Sequence, residues 1–491
     1  MREPAVSLCY RFARQYFTKV NLPSKPGEPS TNTVFASAFK NRKEFHFHVR
    51  KVDDFIKFLE REGLSRQEIH IQNLPVHKGD TVDWKLQPHW KPKDYQEPMI
   101  AYLCKESPPS AKFIGLQTGK GKTFVALNAV AKLKTRLCIV VRPMYIEKWV
   151  QDIKKTFIIE DNNILTIEGT PELLAYLKLV EAKKADQYHA VIISNKTFSN
   201  WIRNHEFYNG DAKELGYPFD PNEFYEKAGF GIKLVDEVHQ DFHMNFRIDL
   251  YINIERTFSL SATLLHNDAF IEEMYNIAYP VYERCDVGTL DKYIDSTAIC
   301  YQIQKNRRYK TEEFGRKTYS HNAFEKSILK DKDFFNSYAR MIKDLLDRYY
   351  TDTSYQPGQK AVVFASTVSM CTELTDYLIE AFPDKTVKRY VAEDPYENLL
   401  EPDIRVTTLG SGGTAHDIAN LTTVLLTIAV DSVQSNIQSL GRLRYIEGVP
   451  TKFIYMTCTD IPKHRKYYRS KQDMLNHRAK SASMIIYPYP V

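Results

Sequence analysis

Ten residues, IGLQTGKGKT at positions 114–123, bring together the groups needed to hold a triphosphate. Gly119 and Gly121 allow a tight turn whose backbone N–H groups can face phosphate oxygens. Lys120 and Lys122 add positive charge, and the Lys122 ammonium is long enough to reach the β/γ oxygens. The Thr123 hydroxyl is a hard oxygen ligand suited to Mg²⁺. Thr118, Gly119, Lys120, Gly121, Lys122 and Thr123 are therefore candidate nucleotide ligands. The run FVALNAVAKL that follows predicts a helix, whose N-terminal dipole favours an anion. One departure stands out: the strict spacing places a glycine where Leu116 lies, and Gly115 comes one residue early.

A second acidic constellation, Asp236, Glu237, Val238 and His239, closes the apolar run GIKLV. Carboxylates at the carboxyl end of a parallel strand lie at the sheet edge where ligands bind. Asp236 can hold Mg²⁺ there indirectly while Glu237 orients or deprotonates an attacking water.

These groups need elements to position them. Short apolar runs alternate with amphipathic stretches from about residue 88 onward: CIVV at 138–141, AVIIS at 190–194, IKLVD at 232–236 and FSLSA at 258–262. After a polar, basic connection at 304–317 come AVVFAS at 361–366, IRVTTL at 404–409, TVLLTIA at 423–429 and KFIYMTC at 452–458. Apolar strands separated by helices predict parallel sheets covered on both faces, so the fold class is α/β with two similar halves. The expected domains are a small α+β unit at 1–87, a nucleotide-binding half at 88–295, and a second half with a basic carboxy-terminal tail at 296–491.

A chain of 491 residues exceeds what one hydrophobic core usually supports. Its 43% hydrophobic and 26% charged residues are ordinary for a folded globular protein. The longest apolar runs fall short of a membrane span and the amino terminus lacks an apolar signal segment, so a cytoplasmic protein with no membrane partner is expected. Seven scattered cysteines form no C-x-x-C pair, which argues against a zinc ribbon or a disulfide framework. The net charge of +6 is mild, but basic residues cluster at 42–51, 305–310 and 463–471, compatible with a polyanionic partner.

The ordered set TGKGKT, DEVH, SAT at Ser261, Ala262 and Thr263, and QSLGRLR at 438–444 resembles superfamily 2 helicases over about residues 94–444. Further matches fit the same family. Asp94, Tyr95 and Gln96 look like its adenine-reading segment, VVRPMYIEKWVQDI at 140–153 like motif Ia, and VIISNKTF at 191–198 like motif Ib. VVFAST at 362–367 and GGTAHDI at 412–418 look like motifs IV and V. The resemblance implies two RecA-like parallel-sheet motor domains in tandem, driven by ATP and Mg²⁺. It gives Gln96 the adenine, Lys122 and Thr123 the phosphates and metal, Asp236 the metal and Glu237 the water. Gly413 and Asp417 join the nucleotide ligands, and Arg442 becomes an arginine finger that reaches the γ-phosphate. Arg444 follows Arg442 by two residues where the family usually spaces its final arginine by three, which leaves its role as a second finger open. His239, Ser261, Thr263 and Gln438 would couple the nucleotide site to the rest of the motor. Ser194, Lys196, Thr197, Ser366, Thr367 and Thr408 are candidates for the nucleic-acid track, gripping phosphates without reading sequence. The stretch AEDPYENLLEPD at 392–403 is short and proline-broken where relatives usually carry a full helix.

The size, the small amino-terminal unit and the DEVH variant resemble the compact phage and viral members of the family, the UvsW-like enzymes. That type implies a monomeric DNA helicase or translocase in recombination, repair or replication restart. It would unwind or branch-migrate forked and junction DNA, with RNA–DNA hybrids as a further substrate. In this reading Arg42, Lys43, His46, His48, Arg50 and Lys51 either bind duplex or buttress the first motor half. The alternative is a nucleic-acid-stimulated ATPase that remodels complexes on duplex without separating strands.

Overall fold

Short, largely apolar runs such as AVIIS have no polar face to turn toward water, and in a computed structural model of the chain this one lies fully buried inside a parallel sheet. The structure describes all residues except 1–2, 22–28, 40–43, 106–109, 117–119, 209, 211–214, 262–263, 265–267, 287–291, 314–317, 392–393, 413–417, 431–435, 437–439 and 441–442. Two compact units result, the first ending at Val287 and the second spanning Gly288–Val491.

In the first unit seven parallel strands follow one another across the sheet: Arg284–Asp286, Ser110–Gly115, Arg256–Ser261, Phe230–Val235, Arg136–Val141, Ala190–Ser194 and Ile164–Ile167. Helices Lys122–Leu133, Ile146–Thr156, Thr170–Glu181 and Asn195–Phe207 form the crossovers. Because all strands point one way, residues 116, 142, 195 and 236 emerge on one edge. The phosphate loop and the acidic pair are thus brought together by topology, with the Arg256–Ser261 strand between them.

The amino-terminal elements are helix Glu3–Tyr16, two antiparallel hairpins (Thr18–Asn21 with Thr31–Val34, and Ser37–Phe39 with Glu44–His46) and helix Val52–Arg61. Phe12, Phe17, Phe35 and Phe39 share one buried cluster with Phe242, Phe246, Tyr251 and Met274 of the sheet-bearing part. Residues 63–96 then run along that part through isolated bridges at His77, Thr81 and Leu86. The Trp84 indole N–H donates to Thr135 O, 2.9 Å away, and fixes this strap ahead of Gln96.

The second unit repeats the plan with seven parallel strands: Val387–Tyr390, Ile404–Thr408, Lys360–Ala365, Leu421–Leu426, Thr451–Cys458, Ile294–Tyr301 and Ser481–Ile486. Between Tyr390 and Ile404 the only helix among the described residues is Glu397–Leu400, so the crossover that reads as shortened in sequence is short in space. The architecture is two tandem RecA-like sheets with a small α+β amino-terminal region. Among the described residues no helix is long and apolar enough to cross a membrane.

Candidate nucleotide and nucleic-acid sites

Gly121 ends the phosphate loop as the N-cap of helix Lys122–Leu133, at φ 86°, a left-handed conformation that favours glycine. A Cβ at this position would meet Gln96 Nε2 at 2.6 Å. Gln96 lies that close because its amide ties two segments together, Nε2 donating to Lys120 O at 3.0 Å and Oε1 accepting from Lys93 N at 3.0 Å. Tyr95 adds a hydroxyl bond to the same Lys120 carbonyl, at 3.0 Å. A primary amide has two donors and two acceptor lone pairs, so Gln96 keeps one of each for a base edge while it anchors the loop.

Lys122 Nζ donates to Glu237 Oε1 at 3.0 Å, and both side chains are nearly buried. Glu237 has φ 46°, and its N–H donates to its neighbour's Asp236 Oδ1 at 2.9 Å. This backbone turn directs the two adjacent acids to different partners. Burial pushes the Glu237 carboxyl up, but Lys122, His239 and Lys148 outweigh it and hold the group down at about 2. Asp236 Oδ2 accepts from Lys148 Nζ at 3.0 Å. Lys148 lies in the motif Ia segment and went unrecognised in the sequence; its carboxylate partner is 88 positions away, and only the sheet order brings them together. The donor set of Asp236 carboxylate and Thr123 hydroxyl consists of hard oxygens, which suits Mg²⁺ arriving with phosphate ligands.

His239 Nδ1 lies 2.6 Å from Ser261 Oγ and 3.4 Å from Glu237 Oε2. Burial lowers its pKa against the pull of Glu237, and Nδ1 faces both oxygens. Ser261 O in turn accepts from Leu116 N at 3.2 Å, the first residue of the phosphate loop. The acidic pair, the SAT serine and the loop therefore form one hydrogen-bonded chain. Beside it Arg142 makes a two-pronged pair with Asp241, at 2.7 and 2.8 Å, and Asn195 Nδ2 donates to the same carboxylate at 3.1 Å. Motifs Ia and Ib are joined to the DEVH segment through Asp241.

The track candidates divide. Ser194 and Thr197 are buried, and Thr197 Oγ1 donates to Glu168 O at 2.6 Å, whereas Lys196 is exposed. In the second unit Ser366 and Thr367 are held by Glu325, which sequence reading missed. Glu325 Oε1 accepts from Ser366 N at 2.7 Å, and Oε2 accepts from Thr367 N and Thr367 Oγ1, both at 2.8 Å. Thr408 Oγ1 accepts from Ser411 N at 3.1 Å. Arg444 is folded back locally, its N–H on Leu421 O at 2.8 Å and Nη1 on Leu443 O at 3.1 Å. Thr118, Gly119, Thr263, Gly413, Asp417, Gln438 and Arg442 lie outside the described residues.

Glu325 is fully buried, and burial pushes its carboxyl up to about 7 against the pull of the Ser366 and Thr367 donors. Folded protein therefore keeps a proton that the unfolded chain has released, and this contribution to stability fades as pH rises from about 4.5 through 7. The expected loss is roughly 3 kcal/mol. Glu325→Gln removes the titrating carboxyl, keeps an acceptor oxygen for one of the two N–H groups, and should flatten that slope. Thermal unfolding of the second unit between pH 5 and 8 checks it, and an unchanged slope would be the contrary result.

The basic residues of the amino-terminal region are engaged internally. Arg50 pairs with Glu283, Lys51 with Asp54 at 2.9 Å, and half-buried His48 accepts from Arg50 N, its pKa lowered to about 3 mainly by desolvation. His46 packs against Phe39 and Tyr251. Arg42 and Lys43 lie outside the described residues.

Residues 89–266 match the family described as "Type III restriction enzyme, res subunit". Over 149 residues, 29% of the chain, the sequence is 25% identical to the Arabidopsis thaliana general transcription and DNA repair factor IIH helicase/translocase subunit XPB1, of which the match covers 19%. The chain thus spans about a fifth of that relative's length. Among solved structures, the DEAD-box helicase Mss116 bound to ssRNA and UDP-BeF superposes with a TM-score of 0.53 at 18% identity, covering 81% of this chain and 75% of that one. S. cerevisiae Dbp5 bound to RNA and ADP BeF3 gives 0.52 at 11% identity, covering 81% and 90%. The chain thus shares the tandem RecA-like fold of these solved structures, and residues 89–266 carry the res-subunit match.

Proposed function

We propose that this protein is an ATP-driven superfamily 2 translocase that acts on DNA and unwinds or branch-migrates forks and junctions. The observation that carries the reading is the meeting of Lys122, Glu237 and Asp236 at one sheet edge, with Gln96 anchoring the loop beside them. In this reading Lys122 and Thr123 bind the phosphates, Asp236 holds Mg²⁺, and Glu237 takes the proton of the attacking water. Thr118, Lys120, Gly413 and Asp417 complete the nucleotide contacts, and Arg442 stabilises charge on the γ-phosphate. Arg444 is assigned no direct role, given its local bonds. Coupling runs from Glu237 through His239 to Ser261, and through Thr263 and Gln438. The track uses Lys196 with Ser366, Thr367 and Thr408, backed by Glu325.

Similarity to a DNA repair factor's helicase/translocase subunit supports DNA as the track. The phage-type assignment, the monomeric state, cytoplasmic location and a role in recombination rest on the sequence resemblance alone. A labelled fork and a four-way junction incubated with ATP test the reading. Displaced or rejoined strands are the expected result; ATP turnover with both substrates intact would favour a remodelling ATPase that does not separate strands.

A further inference from the structure

Lys148 occupies a carboxylate oxygen that a bound metal would use. Its ammonium lies 3.0 Å from Asp236 Oδ2, with the Asp236 side chain 3% exposed. The other oxygen, Oδ1, already accepts from Glu237 N. Both faces of the carboxylate are thereby engaged, one by a lysine and one by backbone. A divalent cation at Oδ2 beside the ammonium would bring two positive charges onto one oxygen, and their repulsion disfavours metal while the lysine stays. An alternative partner is ready: Asp152 Oδ2, one helical turn along the same helix, is 3.8 Å from the same Nζ. A lysine stem has four rotatable bonds, so the transfer needs no backbone movement.

We propose that Lys148 is a resident counter-ion that neutralises Asp236 in the nucleotide-free protein and passes to Asp152 when metal enters, so that the site takes up divalent metal with the triphosphate rather than alone. This rests on the reading of Asp236 as the metal carboxylate. Lys148 is a positioning residue in this scheme, and its partner Asp152 has the opposite influence. Removing the lysine vacates Oδ2 and favours metal. Removing Asp152 strands the displaced ammonium and disfavours metal.

Mn²⁺ binding, followed by loss of the free-ion signal in electron paramagnetic resonance, tests this with the full chain. Nucleotide-free Lys148→Gln is expected to bind Mn²⁺ about tenfold more tightly than the parent protein, and the added Asp236→Asn substitution should abolish that gain. Asp152→Asn is expected to weaken Mn²⁺ binding in the presence of ADP by several-fold. A gain of affinity cannot arise from partial unfolding, so the Lys148→Gln result separates counter-ion from structural roles. Equal Mn²⁺ affinity in the parent and Lys148→Gln would overturn the proposal. The single Asp236→Asn variant with ADP tells the two failures apart: if its Mn²⁺ binding matches the parent's, Asp236 is not the metal carboxylate, and both that reading and this proposal fall.

Discussion

Lys122→Ala is expected to abolish ATP turnover and also to lower the stability of the first unit. The turnover loss follows from removing a charge-assisted contact to the terminal phosphates, an effect of about 10²–10³-fold for a single site of this kind. The stability loss follows from the nucleotide-free geometry. Lys122 and Glu237 pair at 3.0 Å with side chains 9% and 12% exposed. Taking away the lysine leaves Glu237 buried beside His239 and Lys148 with its nearest donor gone. Breaking a buried pair costs about 3–5 kcal/mol, toward the lower end where some water reaches the pair. The combined variant Lys122→Met with Glu237→Gln should regain much of that stability without regaining turnover, because neither charge is then stranded. Thermal unfolding alongside a phosphate-release assay checks both halves. Full activity in Lys122→Ala would remove the phosphate assignment, and unchanged stability would show that the ion pair contributes nothing in solution.

Glu237→Gln is the second large effect. The amide cannot take a proton from water, so turnover should fall by about 10³-fold or more while nucleotide binding persists. Binding is expected to tighten slightly, since a negative charge facing the triphosphate is lost. The same substitution changes acid stability. In the folded protein Glu237 is held down at about 2, because Lys122, His239 and Lys148 outweigh the upward push of burial. A carboxyl lowered on folding stabilises above its unfolded value of about 4.5, and that contribution disappears as pH falls toward 2. Glu237→Gln should therefore flatten the acid side of the stability profile of the first unit. Fluorescent-nucleotide titration and acid unfolding report the two effects separately. Loss of binding in step with turnover would mean that Glu237 serves the ground-state complex and not the chemistry.

Much of this arrangement was legible in the residues themselves. Buried parallel strands need apolar runs on both faces, so AVIIS, IKLVD and AVVFAS announced the sheets. TGKGKT and DEVH announced the site because glycine, lysine and carboxylate have few reasons to cluster at strand ends. The meeting of His239 with Ser261 also followed from the motif order, and the structure supplies its 2.6 Å contact. Lys148 and Glu325 were not legible. Each lies on a helix whose charge pattern reads as an ordinary solvated face, and each finds its partner through sheet order, Lys148 at Asp236 and Glu325 at Ser366 and Thr367. Ser194 and Thr197 differ in the opposite sense. A hydroxyl at a strand end looks available in sequence, but both are buried by the packing around helix Asn195–Phe207. In the basic run at 42–51, His48, Arg50 and Lys51 are bound up with neighbours inside the first unit.

ATP turnover by the purified chain, measured with no nucleic acid and then with single-stranded DNA, duplex DNA, forks and RNA, tests the central claim most directly. The account expects slow basal hydrolysis, a rise of at least about tenfold with DNA, and no rise in Glu237→Gln. Turnover indifferent to every nucleic acid, or preserved in Glu237→Gln, would contradict it.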